Sequence, residues 1–237
     1  MRQYIFEKNT PSLEYISNRW PRSLSILSKY SMSNYKKPDL FKLSLACLKG
    51  LNFHQKTPLT RSIRELSLIC SKNFNSNKYH DQHHFKAVLL IASVFAKVSK
   101  LKKIDNLLIV ILSLTHDMSH QGRRIINRPY YQEKKTIKNL ERIIFRKILN
   151  QKSWKRIKRI LLNTYFPIIP KTSNDIVEKI ILNADLASSM IFGEKNGLIL
   201  ARRLKNEINI EDKSTDLYSK FKGNLDKRDL RMLNHNL

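Results

Sequence analysis

Three short segments of this chain carry side chains able to hold a cation. They are His80 and His84, then His116, Asp117 and His120, then Asp185. Neutral imidazole and carboxylate suit zinc, iron, manganese or magnesium. The segment Tyr79-His80-Asp81-Gln82-His83-His84 reads as the start of a helix over 79–100. On it His80 and His84, four apart, share a face one turn from each other. Such a pair either binds one metal together or divides into a ligand and an acid–base group. A lone helical histidine would be a surface or satisfied core residue; three in five positions, with a second cluster downstream, weigh against that.

The second cluster, Thr115-His116-Asp117-Met118-Ser119-His120-Gln121-Gly122, closes an apolar stretch. A carboxylate after a buried helix must be paired or bound to a metal. On a helix, His116 and Asp117 point about 100° apart. That suits one metal, or an aspartate bridging two, with His120 one turn on from His116. The plainer alternative is a helix C-terminus whose histidines answer the dipole. Asp185, flanked by Leu182, Ala184 and Leu186, borders the core. It is either a fourth ligand or a buried acid paired with one of the many Lys and Arg.

The elements that position these residues are helical, and the chain reads as all-α. Leu40, Leu43, Leu45, Leu48 and Leu51 mark one helix; Ile63, Leu66, Leu68 and Ile69 mark another, after Pro58. After a loop at 73–77, the 79–100 helix buries Ala87, Leu90, Ile91, Val94, Phe95 and Val98. Asp105 is expected to cap the next helix, which is apolar on nearly all sides, ends near Gly122 and forms the central buried element. A loop at 123–129 and helices at about 130–149, 152–164, 174–191 and 196–208 follow, with Pro167 and Pro170 breaking the chain. With 5 Gly and 7 Pro, turns for an all-β fold are lacking. The expected organisation is an N-terminal helical extension at 1–57, a bundle at 58–210, and a tail at 211–237 with few apolar anchors, of the kind that is partly disordered.

Cys47 and Cys70 are too few and too far apart for a disulfide framework and read as buried hydrophobes in a reduced protein. The first residues are broken by Glu7, Asn9, Pro11 and Glu14 before any apolar run develops. The longest apolar run, Leu107–Leu114, falls far short of the roughly 20 residues a bilayer requires. The expectation is a soluble cytoplasmic protein with no transmembrane segment.

Taken together, the motifs resemble the HD superfamily of metal-dependent phosphohydrolases, and most closely the catalytic domain of class I 3′,5′-cyclic-nucleotide phosphodiesterases. Tyr79-His80-Asp81-x-x-His84 is similar to that family's Y-H-N-x-x-H element, His116-Asp117-x-x-His120-x-Gly122 to H-D-x-x-H-P-G, and Ala184-Asp185-Leu186 to A-D-L/I. The resemblance covers roughly residues 58–195 and implies an HD-type helical bundle. It makes His84, His116, Asp117 and Asp185 ligands of a tight site for zinc, iron or manganese. Asp117 would bridge to a second ion, magnesium or manganese, with His120 in the surrounding shell. His80 would be the general acid. Glu133 resembles the glutamate that orders water at the second metal, although Lys134 and Lys135 stand where the family has histidines. The implied chemistry is hydrolysis of a phosphodiester, a cyclic nucleotide or a relative, by a hydroxide bridging two metals, with His80 protonating the leaving alkoxide. Asp81, Ser119 and Gln121 depart from the family pattern. In the 52 residues after Asp185 (237 minus 185) no base-recognition element is identifiable.

The charge offers a rival class. Against 19 Asp+Glu stand 45 Lys+Arg, a net +26. Lys134–Arg159 holds eleven of those cations and one acid, Glu141, with Trp154 interleaved. Lys134, Lys138 and Arg142 share a face. Such a field draws polyanions, so a nucleic-acid- or anionic-surface-binding protein on a degenerate HD scaffold is the alternative. The plainer reading is a solvated face in a Lys-rich chain. An enzyme directed at nucleic acid would use both features.

Overall fold

The computed structural model describes residues 12–32, 38–53, 57–72, 77–123, 125, 127–145, 147–165, 173–190, 193–209 and 216–227. They form eleven helices: α1 (Leu13–Asn18), α2 (Leu24–Met32), α3 (Leu40–Gly50), α4 (Thr57–Lys72), α5 (Gln82–Val98), α6 (Lys103–Thr115), α7 (Tyr131–Ile144), α8 (Gln151–Asn163), α9 (Ile176–Met190), α10 (Glu194–Glu207) and α11 (Leu217–Lys227). The expected all-α bundle is what the chain adopts. No helix among the described residues is long and apolar enough to cross a membrane.

Two helices, not one, are central. Residues 106–115 of α6 are buried all round, as the sequence predicted. The expected one-sided stripe of α5 proves too narrow, because Val88, Leu89, Ala92, Ser93 and Ala96 are buried as well. The reason lies at the N-terminus: α1, α2 and α3 pack on α5 in addition to α6 and α9. Leu13, Ile16, Trp20 and Leu27 thereby join the same core, with Trp20 edge-on to Phe95 at 5.9 Å. Burying side chains such as these contributes about 1.5–3 kcal/mol each. Within 211–237, Leu217 and Phe221 are buried on α11, which packs on α9 and α10. The expected break at Pro167 and Pro170 lies outside the described residues.

Helix boundaries differ where chemistry is concentrated. Helix α5 begins at Gln82, not Tyr79, because Asp81 is its N-cap and accepts from the backbone N–H of His83 (2.8 Å) and His84 (3.0 Å). Asp81 thus closes a helix. Helix α6 ends at Thr115, with His116 as its C-cap, and the chain turns through 116–119. The expected cap Asp105 instead sits in the first turn of α6, where Arg156 binds its carboxylate; the N-cap is Lys102, which makes no side-chain cap bond.

Arg156 reaches Asp105 at the start of α6 and Asp175 just before α9. Asp117 beyond the end of α6 and Asp185 on α9 both approach His84. The two helices therefore run side by side in the same direction, and α5 starts where they deliver their acids.

Candidate metal centre

Four side chains converge there: His84 from the first turn of α5, His116 and Asp117 from the turn after α6, and Asp185 from the third turn of α9. His84 Nε2 lies 3.1 Å from His116 Nε2, 3.5 Å from Asp117 Oδ2 and 3.3 Å from Asp185 Oδ1. His116 Nε2 is 3.2 Å from Asp117 Oδ2 and 3.8 Å from Asp185 Oδ1. Metal–ligand bonds of about 2.0–2.2 Å put tetrahedral donors about 3.3–3.6 Å apart, so this spacing is that of a coordination shell.

The second hydrogen bond of each histidine sets what its ring offers inward. His116 Nδ1 faces the Ser113 carbonyl at 3.1 Å and donates to it. His84 Nδ1 faces Ser188 Oγ at 3.4 Å, and that hydroxyl gives its own proton to the Asp185 carbonyl at 2.6 Å. With Nδ1–H committed on both rings, each Nε2 turns either a lone pair or a proton toward the carboxylates. Burial works against charge on His84, but hydrogen bonds and charge from Asp117 and Asp185 outweigh it and push its pKa up to about 10. Burial likewise opposes ionisation of Asp117, yet His116 and His80 hold its carboxyl well below the usual range. A cation held here would compete with the proton on His84 for one place, and its binding would release protons.

A second cluster adjoins the first: His80, His120 and Glu207. Glu207 was not expected from the sequence. It is the last residue of α10 and is almost wholly buried. Its Oε2 accepts the backbone N–H of Tyr79 (2.6 Å) and of His80 (3.0 Å), while Oε1 meets His80 Nδ1 at 2.5 Å. Burial would raise the Glu207 pKa, but the His80 hydrogen bond and charge hold it down at about 2. His80 Nε2 then points to Asp117 Oδ2 at 3.5 Å. His80 precedes α5, so it is a carboxylate from α10, not helical register with His84, that aims its ring.

His120 groups with His80, not with the four cation donors. The two rings stack with centroids 3.7 Å apart. His120 Nδ1 accepts from the Gly122 N–H at 3.1 Å. Burial, then the charge of His80, lowers the His120 pKa to about 4. Gly122 has φ +64, and a Cβ there would lie 2.4 Å from Asn77 Oδ1, so only glycine fits. Asn77 in turn donates to the His80 carbonyl at 3.2 Å.

Glu133, in the first turn of α7, is close enough to Asp117 to feel its charge. Burial first, then Asp117, raises its pKa to about 7, and Oε2 has no hydrogen-bond partner among the described residues. The structure thus draws together His80, His84, His116, Asp117, His120 and Asp185, and brings Glu133 within range of the Asp117 charge. The basic run fares differently. It is split between α7, which ends at Ile144, and α8, which begins at Gln151; Trp154 is buried against Phe145, and Arg156 and Arg159 are spent on Asp105, Asp175 and Glu178. No family model matches this chain, and no curated protein matches it.

Proposed function

We propose that this chain is a metal-dependent phosphohydrolase of the HD type, acting on a phosphodiester such as a cyclic nucleotide or a relative. The observation that carries this reading is a four-donor cage beside an independently anchored His–Glu pair, with His80 Nε2 3.5 Å from the Asp117 carboxylate. A structural metal site has no need of the second element. His84, His116, Asp117 and Asp185 would hold zinc, iron or manganese, with a second ion, magnesium or manganese, sharing Asp117 beside Glu133. When bound, a divalent cation supplies concentrated positive charge that polarises phosphoryl oxygens and makes water a better nucleophile.

The protein's own residues do the rest. Glu207 fixes His80 with Nε2 turned to the cage. His80 then gives its Nε2 proton to the departing alkoxide, a contribution of about 100- to 10,000-fold. His120, neutral and stacked on His80, holds the ring plane without a competing charge. Glu133 is poised to exchange a proton with water near neutral pH. Both cysteines are free and buried, and burial pushes the Cys47 thiol up to about 12; inert thiols of this kind fit a reducing, cytoplasmic setting.

The test is hydrolysis of bis(p-nitrophenyl) phosphate with Mn²⁺. The native chain should turn it over and Asp117→Ala should not. Equal rates in both would remove the cage from the chemistry. The rival binding protein is favoured by the exposed cations of α7. Salt-sensitive oligonucleotide binding with no turnover of any phosphodiester would select it.

A further inference from the structure

We infer that the phosphodiester belongs to single-stranded nucleic acid, seated on a track that starts at Tyr130 and Tyr165 and follows the exposed cations of α7. The chemistry rests on the phosphohydrolase reading; the binding does not.

Tyr130 is the N-cap of α7 at φ 60, a left-handed conformation costly for an aromatic residue. From there its ring meets that of Tyr165, just past the end of α8, with centroids 4.5 Å apart and planes 41° apart. Both rings are only half-buried, so each keeps surface that a planar group can cover. Lys134 lies 6.0 Å from the Tyr130 ring, and Arg128 lies 5.8 Å from the neighbouring Tyr131 ring. Glu133, which feels Asp117, is in the same helical turn as Tyr130. The aromatic pair therefore begins within one helical turn of the α7 carboxylate that feels Asp117.

From that pair a row of cations leads away. Lys134, Lys138 and Arg142 recur every fourth residue and all three are exposed. They are spaced about 6 Å apart along the helix axis, near the repeat of phosphates on an extended strand. None of them is in an ion pair among the described residues, in contrast to Arg156 and Arg159. Glu141 is the one acid of α7 beyond Glu133. Stacking platforms joined to a cationic groove are how single strands are held without sequence readout. A mononucleotide could cover the tyrosines but would leave Lys138 and Arg142 unused. α7 offers a membrane no apolar face to insert, since Leu140, Ile143 and Ile144 are buried in the core.

The experiment is fluorescence anisotropy of a labelled 12-nucleotide single strand with the full chain in chelator, where nothing is turned over. Tyr130→Ala and Tyr165→Ala should each weaken binding about 5- to 150-fold, the range for loss of one stacked base, while Tyr130→Phe should bind as the native chain does. Replacing Lys134, Lys138 and Arg142 together by Ala should reduce the slope of log affinity against log salt by about 2. That arm stands even if an alanine at 130 or 165 prevents folding. Unchanged affinity in folded tyrosine variants, an unchanged salt slope, or equal competition by a mononucleotide, a duplex or phosphatidylserine vesicles would overturn the inference. Strand binding that follows these rules, with Mn²⁺-dependent hydrolysis of neither that strand nor bis(p-nitrophenyl) phosphate, would overturn the phosphohydrolase reading alone.

Discussion

Helices α6 and α9 carry acids at both ends, and the two ends are treated oppositely. At the start, Asp105, Asp175 and Glu178 meet Arg156 and Arg159 from α8, and Asn163 adds a bond to Glu178 at 2.7 Å. Asp175 also caps α9 through the Val177 N–H. At the other end, about 15 to 18 Å along the helices, Asp117 and Asp185 meet imidazoles and no Lys or Arg is ion-paired to them among the described residues. In a chain with 45 Lys and Arg, that absence at one end beside abundance at the other separates acids that hold the bundle together from acids grouped with histidines as the ligands of a cation would be.

The comparison can be broken from either side. The largest effect is expected from the cage. Asp117→Ala should abolish the proposed turnover. It should also abolish a metal-dependent rise in thermal stability worth about 2.7 kcal/mol at one hundred times Kd, roughly 5 to 11 °C for a chain of this size. Calorimetry with and without Mn²⁺ checks this, and Arg156→Met should retain the rise. Arg156→Met should instead lower stability by about 1–2 kcal/mol in both states, since it leaves Asp105 without its Arg and Asp175 with Arg159 alone; urea denaturation reads this out.

Glu207→Gln sharpens a second contrast, between holding a cation and aiming a proton donor. It should cut kcat by about 10- to 100-fold, as loss of an orienting partner does, while leaving the metal-dependent thermal rise in place.

The smallest effect concerns pH. Burial raises the Asp175 pKa, but Arg156 and the α9 backbone N–H groups more than offset it and hold it below the ordinary 3.8. A depressed acid contributes stability that is present above the unfolded pKa and is lost as pH falls through the folded one. Acid titration of the melting temperature below pH 4 should therefore be less steep in Asp175→Asn than in the native chain. An identical slope would mean the ion network contributes nothing to acid lability.

The four cage residues were legible because each lies in a short motif whose neighbours carry information: two histidine clusters and an aspartate inside an apolar run. Glu207 was not, because it lies 127 residues from His80 in the chain and only tertiary packing joins them. One faint signal existed: it continues the buried positions Gly197, Ala201 and Leu204 of α10, where a carboxylate is out of place. Helix register misplaced His80 for a related reason. Asp81 can cap a helix by accepting from the backbone N–H groups two and three residues on, and that local bonding starts α5 three residues later than the spacing predicts. The basic run was legible only in part, since sequence does not reveal which cations meet acids on other helices. Arg156 and Arg159 do, whereas Lys134, Lys138 and Arg142 do not.

Isothermal titration of the metal-free protein with Zn²⁺ or Mn²⁺ tests the central contrast most directly. The native chain and Asp175→Asn should bind the ion with matching affinity, and Asp185→Ala should lose that binding. Equal affinity in Asp185→Ala, or no binding by the native chain, would contradict the assignment of the cage.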